Sequence, residues 1–517
     1  MPRFTAISIK AHTTSSRPTP HVLYLVQVTL NDGTVYEIKR RFSEFIALHQ
    51  GIGDEFLLPA KRSLAIAVVP YAWVNNNLIE ERKKGLQAYL LLLLHESRYC
   101  EHLALRRFFT PEVFQEHLPS YPKEFTTEDV KKLEEEKGKP IAASYYPSWA
   151  LWTYPPERID FSKFDVLFFA FVTPTGTAGI SWGDGTEEAL KRLVSAARRS
   201  GHPTKIVLSV GGWGGSYWFS QAMSTTTNRL TLSTILTNIV ALHGLDGVDI
   251  DWEYPNAPGN GIPHSPADTF NLLKFFQILR VALGPSRLIS AAVAHQPWLE
   301  ANGGPMKDVS AFAKELSFVN IMNYDVFGAS ETPGPNAPLG NLCGSSKQPM
   351  ASAHAAFAQW TQAGMPASNL LLGLALYGYV SKSSAKKLTG SSTAIGCFFP
   401  HYRLAGSKVD APLGDLSGYW GQQVAFKEIV NIGALKRNSD GTYGGANGYT
   451  MGWDDCSDTP YLFDTDRTTV VSYDDMYSIA SKTQFAKASG MAGCFTWSLD
   501  QDDGLVLHNA MLSNLGR

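Results

Sequence analysis

Asp246-Gly-Val-Asp249-Ile-Asp251-Trp-Glu253-Tyr-Pro255 is the stretch on which the reading of this chain turns. Asp249, Asp251 and Glu253 recur at period two, so on a β-strand they share one face while Val248, Ile250 and Trp252 take the other. Like charges so close cannot all ionise. At least one pKa must rise, which is what a general acid working at neutral pH requires. Glu253, nearest the C-terminal end of the strand, is the natural proton donor. A calcium loop would need Gly at the sixth position counted from Asp249 and an acid at the twelfth, where Tyr254 and Asn260 stand. A solvated acidic edge strand is the bland alternative, and it does not suit a segment enclosed by apolar runs.

Those runs are Ile141–Tyr146, Asp165–Phe171, Lys205–Val210, Gly247–Asp251, Arg287–Val293, Ser317–Asn323, Leu370–Leu376 and Met491–Trp497, separated by helical and loop segments. The alternation is that of a parallel sheet with crossover helices, and eight strands predict an α/β fold, a (β/α)8 TIM barrel. The long gap before the last run predicts an α+β insertion between strands seven and eight, at about residues 379–475. A doubly wound open sheet is the alternative, weakened because no glycine fingerprint follows the first strand. On a barrel the acidic column would lie on the inner face, with its active end at the C-terminal mouth.

The composition agrees with this. The chain has 517 residues, 44% hydrophobic and 18% charged, which excludes disorder and small disulfide scaffolds. Residues 1–120 hold 14 Lys+Arg against 11 Asp+Glu (+3) and the remainder 31 against 36 (−5). A surplus of +3 is too small for sequence-independent nucleic-acid binding, so no nucleic-acid partner is expected. Five Cys, without CxxC or a Cys/His cluster, leave room for one or two isolated bridges and predict no metal site. Neither a signal peptide nor a membrane span is expected, since the N-terminus lacks an apolar core and Leu90–Leu94 is far shorter than the ~20 residues a span needs.

Ahead of the barrel, HVLYLVQVTL and TVYEIKRRF flank Asn31-Asp32-Gly33 and read as a β-hairpin. Helical spacing follows over 42–50 and 78–109, with a proline-marked apolar loop, Leu64–Trp73, between them. This predicts a small α+β domain over residues 1–120, a charged linker over 121–138 and the barrel domain over 139–517. Arg40-Arg41-Phe42 closes the hairpin and places two guanidiniums beside a ring, a grouping suited to phosphate.

DGVDIDWE resembles the D-x-x-D-x-D-x-E motif of family 18 glycoside hydrolases, the chitinase family. Ser209-Val-Gly-Gly212-Trp213, Met322-Asn-Tyr-Asp325 and Cys494-Phe-Thr-Trp497 are similar to its third, sixth and last strands, and Tyr145–Trp149 and Phe169–Phe171 to its first two. The resemblance covers roughly 139–517. It implies a retaining, substrate-assisted hydrolysis in which Glu253 protonates the glycosidic oxygen and the substrate's acetamido carbonyl attacks the anomeric carbon. Asp251 would orient the acetamido group, Asp249 would share a proton with Asp251, and Tyr324 would hydrogen-bond the acetamido oxygen. Tyr145, Trp149, Phe171, Trp213, Met322, Asp325 and Trp497 would contact the sugars, with Trp497 as the floor. Trp152, Trp182, Trp218 and Trp298 also fall near strand ends and are further candidates for stacking on pyranose faces. One departure stands out: Tyr377-Gly378 is followed by Tyr379 where Arg is common.

Residues 1–115 resemble a phox-homology (PX) domain, a phosphoinositide reader. That resemblance implies that Arg41 holds the 3-phosphate of phosphatidylinositol 3-phosphate, Phe42 stacks on the inositol ring, and Lys61 and Arg82 hold the other phosphates. Leu64–Trp73 would dip into the lipid interface.

The expectation is therefore a monomeric, endo-acting chitinase without cofactors, acting on chitin or its oligosaccharides and bound peripherally to the cytoplasmic side of endosomal or vacuolar membranes. Unconventional export to the cell wall is the alternative location. An endo-β-N-acetylglucosaminidase acting on N-glycans is the alternative enzyme, and a silent chitin lectin or trafficking adaptor the alternative class.

Overall fold

A computed structural model describes residues 4–15, 21–31, 33–52, 76–96, 99, 102–109, 139–389 and 412–517. The chain divides into two compact units, Met1–Glu135 and Glu136–Arg517. The charged linker 121–138, Lys61 and the apolar loop 64–73 lie outside the described residues. No helix among the described residues is long and apolar enough to cross a membrane.

The larger unit is a closed barrel of eight parallel strands: Ile141–Pro147, Val166–Pro174, Lys205–Gly211, Gly247–Asp251, Leu288–Val293, Phe318–Ile321, Leu370–Ala375 and Gly493–Trp497. Each pairs with its sequence neighbour, and the last pairs with the first, which closes the ring. All eight sequence-predicted strands are present, with no end moved by more than three residues. Barrel strands are buried on both faces, which explains their near-continuous apolar runs. Exceptions are informative, because Ser144, Ser209, Asp249, Ser290, Asn320 and Thr496 are fully buried polar residues.

The crossover helices carry ordinary terminal signals. Thr225 caps the helix Thr226–His243 by accepting from the Asn228 amide at 3.1 Å, and Gly244 ends it at φ +62°. Asp475 and Ser478 form a capping box on Met476–Ala488. At the lower end of the fourth strand Asp246 accepts from the Ile206 amide (2.8 Å) and pairs with Arg198 (2.7 Å), so this first acid of the motif fastens the strand rather than entering the cleft.

Between strands seven and eight stands the predicted insertion. Its composition reads as loop-rich, yet Gln422–Ala425, Tyr377–Lys382, Thr469–Ser472, Thr459–Asp464 and Thr450–Asp454 form a five-stranded antiparallel sheet in that order. Strands of four to six residues joined by Gly- and Asp-rich turns leave little periodicity to read. A disulfide, Cys343–Cys456, joins the loop after the sixth strand to this sheet across 113 residues of chain.

The smaller unit has a three-stranded antiparallel sheet, Phe4–Ser15, His21–Leu30 and Val35–Arg41, followed by helices Phe42–Ile52, Asn76–His95 and Leu103–Phe109. The predicted hairpin is present, with Gly33 at φ +84° in its turn. The helical stretch predicted over 78–109 is divided in two, its chain turning through Tyr99, whose amide bonds the Glu96 carbonyl at 2.9 Å. Tyr24, Val26, Val28, Phe45, Leu86, Leu90 and Phe109 form its core.

Candidate active site

The fourth strand delivers Asp249 and Asp251 to the barrel interior, and Glu253 follows two residues later at its C-terminal mouth. Trp252 turns the other way and stacks on Phe219 at 5.2 Å. The chain around this point fits only glycines: a Cβ on Gly211 would meet the Asp251 carbonyl oxygen at 2.1 Å, and one on Gly212 the Phe171 ring at 2.7 Å. Ser216 ties the turn together, accepting from the Glu253 amide (3.0 Å) and donating to the Gly212 carbonyl (2.9 Å). The peptide bonds Ala170–Phe171, Glu253–Tyr254 and Trp497–Ser498 are cis.

The three acids meet different surroundings. Asp249 receives four donors, Tyr145 (2.9 Å) and Ser209 (2.7 Å) on one oxygen, Ser290 (2.6 Å) and Asn320 (3.3 Å) on the other. Ser209 and Ser290 are its direct register partners on the flanking strands. Burial raises its pKa overall with these hydroxyls acting the other way, while four donors on two oxygens is an arrangement that favours the ionised carboxylate. Asp251 is buried with no hydrogen-bond partner on Oδ1. Burial, then the charges of Glu253 and Asp249, hold its pKa well above the carboxylate range. With both Asp249 oxygens already occupied, the sequence-derived idea of a proton passing directly between Asp249 and Asp251 has no hydrogen bond to follow in this arrangement.

Glu253 is pushed up to about 8, by burial first and by the charge of Asp325 second, with hydrogen bonding to Tyr254 acting the other way. A carboxyl group protonated at neutral pH therefore stands at the mouth of the barrel. Tyr324 is surrounded by Asp251, Asp325 and Glu253, which together with burial hold its hydroxyl protonated. Such a set can donate one proton outward from Glu253, accept an N–H on Asp251 and donate a hydroxyl from Tyr324.

Asp325 sits beside them at φ +57°, its amide held by Asn336 Oδ1 at 2.9 Å. Its Oδ1 accepts from Tyr377 (2.5 Å), Tyr379 (2.8 Å) and Gln423 (3.2 Å). Burial raises its pKa overall, with the three donors acting the other way. The residue is exposed to solvent, which favours its charged form, and that charge in turn raises Glu253. Sequence reading gave Asp325 a role but none to Tyr377, Gln423, Asn336, Ser209, Ser290, Asn320, Ser216 or Tyr254; polar residues inside apolar barrel strands were the available signal for three of them.

An aromatic floor adjoins the acids. Trp497 stacks on Phe171 (5.7 Å, 23°) and meets Tyr145 (5.3 Å) and Trp149 (6.4 Å) edge-on, with Met322 and Tyr324 in the same cluster. Trp149 is 45% exposed, and Trp213 is half-buried with its indole N–H unpartnered. Trp218 and Trp152 are exposed, the latter at the end of the short 3-10 helix Ser148–Trp152. Two sequence candidates lie elsewhere. Trp298 is a core residue, stacked on Phe312 at 4.2 Å and meeting Trp360 at 4.9 Å, and Trp182 packs against His243 at 5.9 Å beside the outer helices.

In the small unit strand alternation separates the two arginines. Ile38 and Arg40 point inward, where the Arg40 guanidinium bonds the Phe108 and Lys39 carbonyls (both 2.9 Å); Arg41 is exposed. Alternation thus buries one guanidinium and exposes the other, although both still reach the Glu44 carboxylate, Arg40 at 3.8 Å and Arg41 at 3.9 Å. Arg82 lies over the Phe42 ring at 4.6 Å, so Arg41, Phe42 and Arg82 include one cation–π pair at this end of the sheet.

Residues 142–502 match glycosyl hydrolases family 18, and residues 28–112 match the PX domain. A chitinase-like effector of Moniliophthora perniciosa is 34% identical over 73% of this chain and 87% of its own. The crystal structure of a Rhizomucor miehei chitinase superposes with a TM-score of 0.61 at 31% identity, covering 72% of this chain and 99% of that one. A family 18 N-acetylglucosaminidase of Paenibacillus barengoltzii gives 0.56 at 26% identity over 72% of this chain and 99% of its own. With that match across most of its length, and with the acidic column, its donors and the aromatic floor placed on an eight-stranded barrel, the chain belongs to glycosyl hydrolase family 18 and carries a PX domain ahead of the barrel.

Proposed function

We propose that the barrel is a retaining chitinase that cuts within chains of β-1,4-linked N-acetylglucosamine, and that the PX domain holds it to phosphoinositide membranes. The observation that carries the enzymatic reading is the buried carboxyl of Glu253 at the barrel mouth, its pKa raised by burial and by Asp325, beside an Asp251 oxygen with no protein partner. Glu253 gives its proton to the glycosidic oxygen as that bond to the anomeric carbon breaks, while the substrate's acetamido oxygen forms the new bond to the same carbon. Asp251 accepts the acetamido N–H on its unpartnered oxygen, and Tyr324 donates to the acetamido oxygen. Water then attacks the anomeric carbon, the bond to the acetamido oxygen breaks, and Glu253 carboxylate takes the water's proton. Asp249, held by four donors, supplies the fixed negative charge behind Asp251. Trp497, Phe171 and Trp149 offer ring faces to the chain, and the exposed edge of Trp149 lets it continue outward, which supports cutting within a chain.

Release of reducing ends from chitin oligosaccharides, compared with Glu253→Gln, tests this. Equal rates would refute it, and product sizes decide between internal and end-wise cutting. A binding protein without hydrolysis is the second reading, favoured by relatives described as chitinase-like effectors. Retained binding with no cleavage by the unmodified chain would establish it.

For the PX domain, exposed Arg41 is the residue placed to take a 3-phosphate. Sedimentation with vesicles containing phosphatidylinositol 3-phosphate should show binding that Arg41→Ala abolishes. A position on the cytoplasmic face of endosomal or vacuolar membranes follows from that reading. The Cys343–Cys456 bridge favours the alternative, an oxidising location for the barrel. Alkylation of native protein with mass detection tests this: two protected thiols support export, two free thiols the cytoplasmic side.

A further inference from the structure

The sheet of the insertion does more than wall the cleft. Tyr377 and Tyr379, two apart on one strand, point to the same face, and Gln423 is the direct antiparallel partner of Tyr379. All three reach one oxygen of Asp325, and Gln423 also bonds the Tyr379 hydroxyl at 2.9 Å. Asp325 is thereby held rigidly by neutral groups only, at the position in the sequence pattern where a neighbouring Arg is common and Tyr379 stands instead. Among the described residues no Lys or Arg bonds Asp249, Asp251, Glu253 or Asp325, or acts on their charge. The second oxygen of Asp325 has no protein donor among the described residues and the residue is open to the cleft. Within the acidic column, Asp251 Oδ1 is buried without a hydrogen-bond partner.

We infer that Tyr379 and Gln423 are specificity-determining residues: by fixing Asp325 without neutralising it, they make the cleft select an N-deacetylated, cationic glucosamine unit beside the N-acetylglucosamine that is cleaved. This rests on the hydrolase reading above. The cleaved sugar itself must keep its acetyl group, which supplies the nucleophile. Its neighbour needs none, and a free ammonium on that neighbour can donate to the open Asp325 oxygen where an acetamide cannot pair with a charge. An Arg in place of Tyr379 would occupy that oxygen and cancel its charge.

The test uses the full chain and a soluble chitosan about half N-acetylated, with fully acetylated chitohexaose in parallel. Product ends are sequenced by mass spectrometry. The expected result is acetylated new reducing ends, with glucosamine enriched about fivefold over random at one position adjacent to the cut, either the new non-reducing end or the unit before the new reducing end. Enrichment should fall on raising salt from 0.05 to about 0.5 M, vanish in Tyr379→Arg and weaken in Tyr379→Phe, which removes the hydroxyl that holds Asp325 without adding charge. Random neighbours in the unmodified enzyme, or enrichment surviving in Tyr379→Arg, would overturn the inference. Should neither substrate be cut, the hydrolase reading fails, and binding of partially deacetylated against fully acetylated hexasaccharides decides the present point: a preference lost in Tyr379→Arg upholds it, and equal affinities overturn it.

Discussion

Glu253→Gln should disable the enzyme and stabilise the protein at the same time, by an amount that depends on pH in a calculable way. Glu253 titrates near 8 in the folded state against an ordinary 4.5. For an acid whose folded pKa is raised, the native state binds more protons than the unfolded one between those values, so stability is intact below 4.5 and lost as pH rises towards 8. At 1.36 kcal/mol per pK unit, the 2.5 units between 4.5 and 7 cost the wild type about 3 kcal/mol at pH 7, approaching ~5 kcal/mol above pH 9. Neutral Gln does not bear this penalty. For a domain of this size about 3 kcal/mol corresponds to ~4 °C in Tm. Calorimetry of both proteins from pH 4 to 9 is the assay, following the barrel transition. The variant should melt higher at neutral and alkaline pH, with the two curves converging near pH 4, while hydrolysis falls by roughly 10²–10⁴ for lack of the proton donor. A gap that is constant with pH, or a variant less stable at pH 8, would refute the assignment of Glu253 as a buried neutral acid.

Further outcomes follow from neighbouring groups. Asp325 is the second cause of the high Glu253 pKa, so Asp325→Asn should move the alkaline limb of kcat/KM to lower pH by on the order of one unit, whatever it does to the amplitude; an unmoved limb would count against the coupling. Cys343→Ser should lower the stability of the oxidised protein by up to about 5 kcal/mol, the loop entropy for 113 residues, measured by urea titration with and without reductant; equal stability in both proteins would mean the bridge is not formed. Arg40→Ala should destabilise the PX domain, because the Phe108 carbonyl loses its donor, whereas Arg41→Ala should leave its melting unchanged. Circular dichroism of the two variants separates these roles.

How much of this was legible depended on the distance over which a pattern had to act. The acidic column was readable because strand alternation is local: three acids at period two could take only one face. The barrel was readable from eight short apolar runs, and Trp497 from its place at the end of the last. Arg40 and Arg41 were readable in principle, since inward-facing Ile38 already fixes the alternation that buries Arg40. The meeting of Tyr379 with Gln423 was not. They meet through an antiparallel register spanning 44 positions of chain, and short strands without clear periodicity conceal that register. The Cys343–Cys456 pairing and the burial of Trp298 under Phe312 and Trp360 likewise arise from tertiary contacts that no local spacing encodes.

The differing states of the three acids come from the barrel rather than from the motif. A strand with alternating carboxylates gives each the same chemistry and nearly the same spacing. What separates them is which neighbours the ring of strands supplies at each level. At the level of Asp249 the flanking strands offer serines directly in register, and Tyr145 and Asn320 complete the set, so a charge can be kept there without water. One level up, no donor reaches Asp251 Oδ1, and at the mouth Glu253 has another carboxylate, Asp325, for a neighbour. Ionisation is therefore anchored at the bottom of the column and the proton is retained at the top, where a leaving oxygen can collect it. Substituting Ser209 and Ser290 by Ala would remove two of the four donors from Asp249 and with them part of the reason for that ordering. The motif alone, on a strand whose neighbours were apolar, would not produce it.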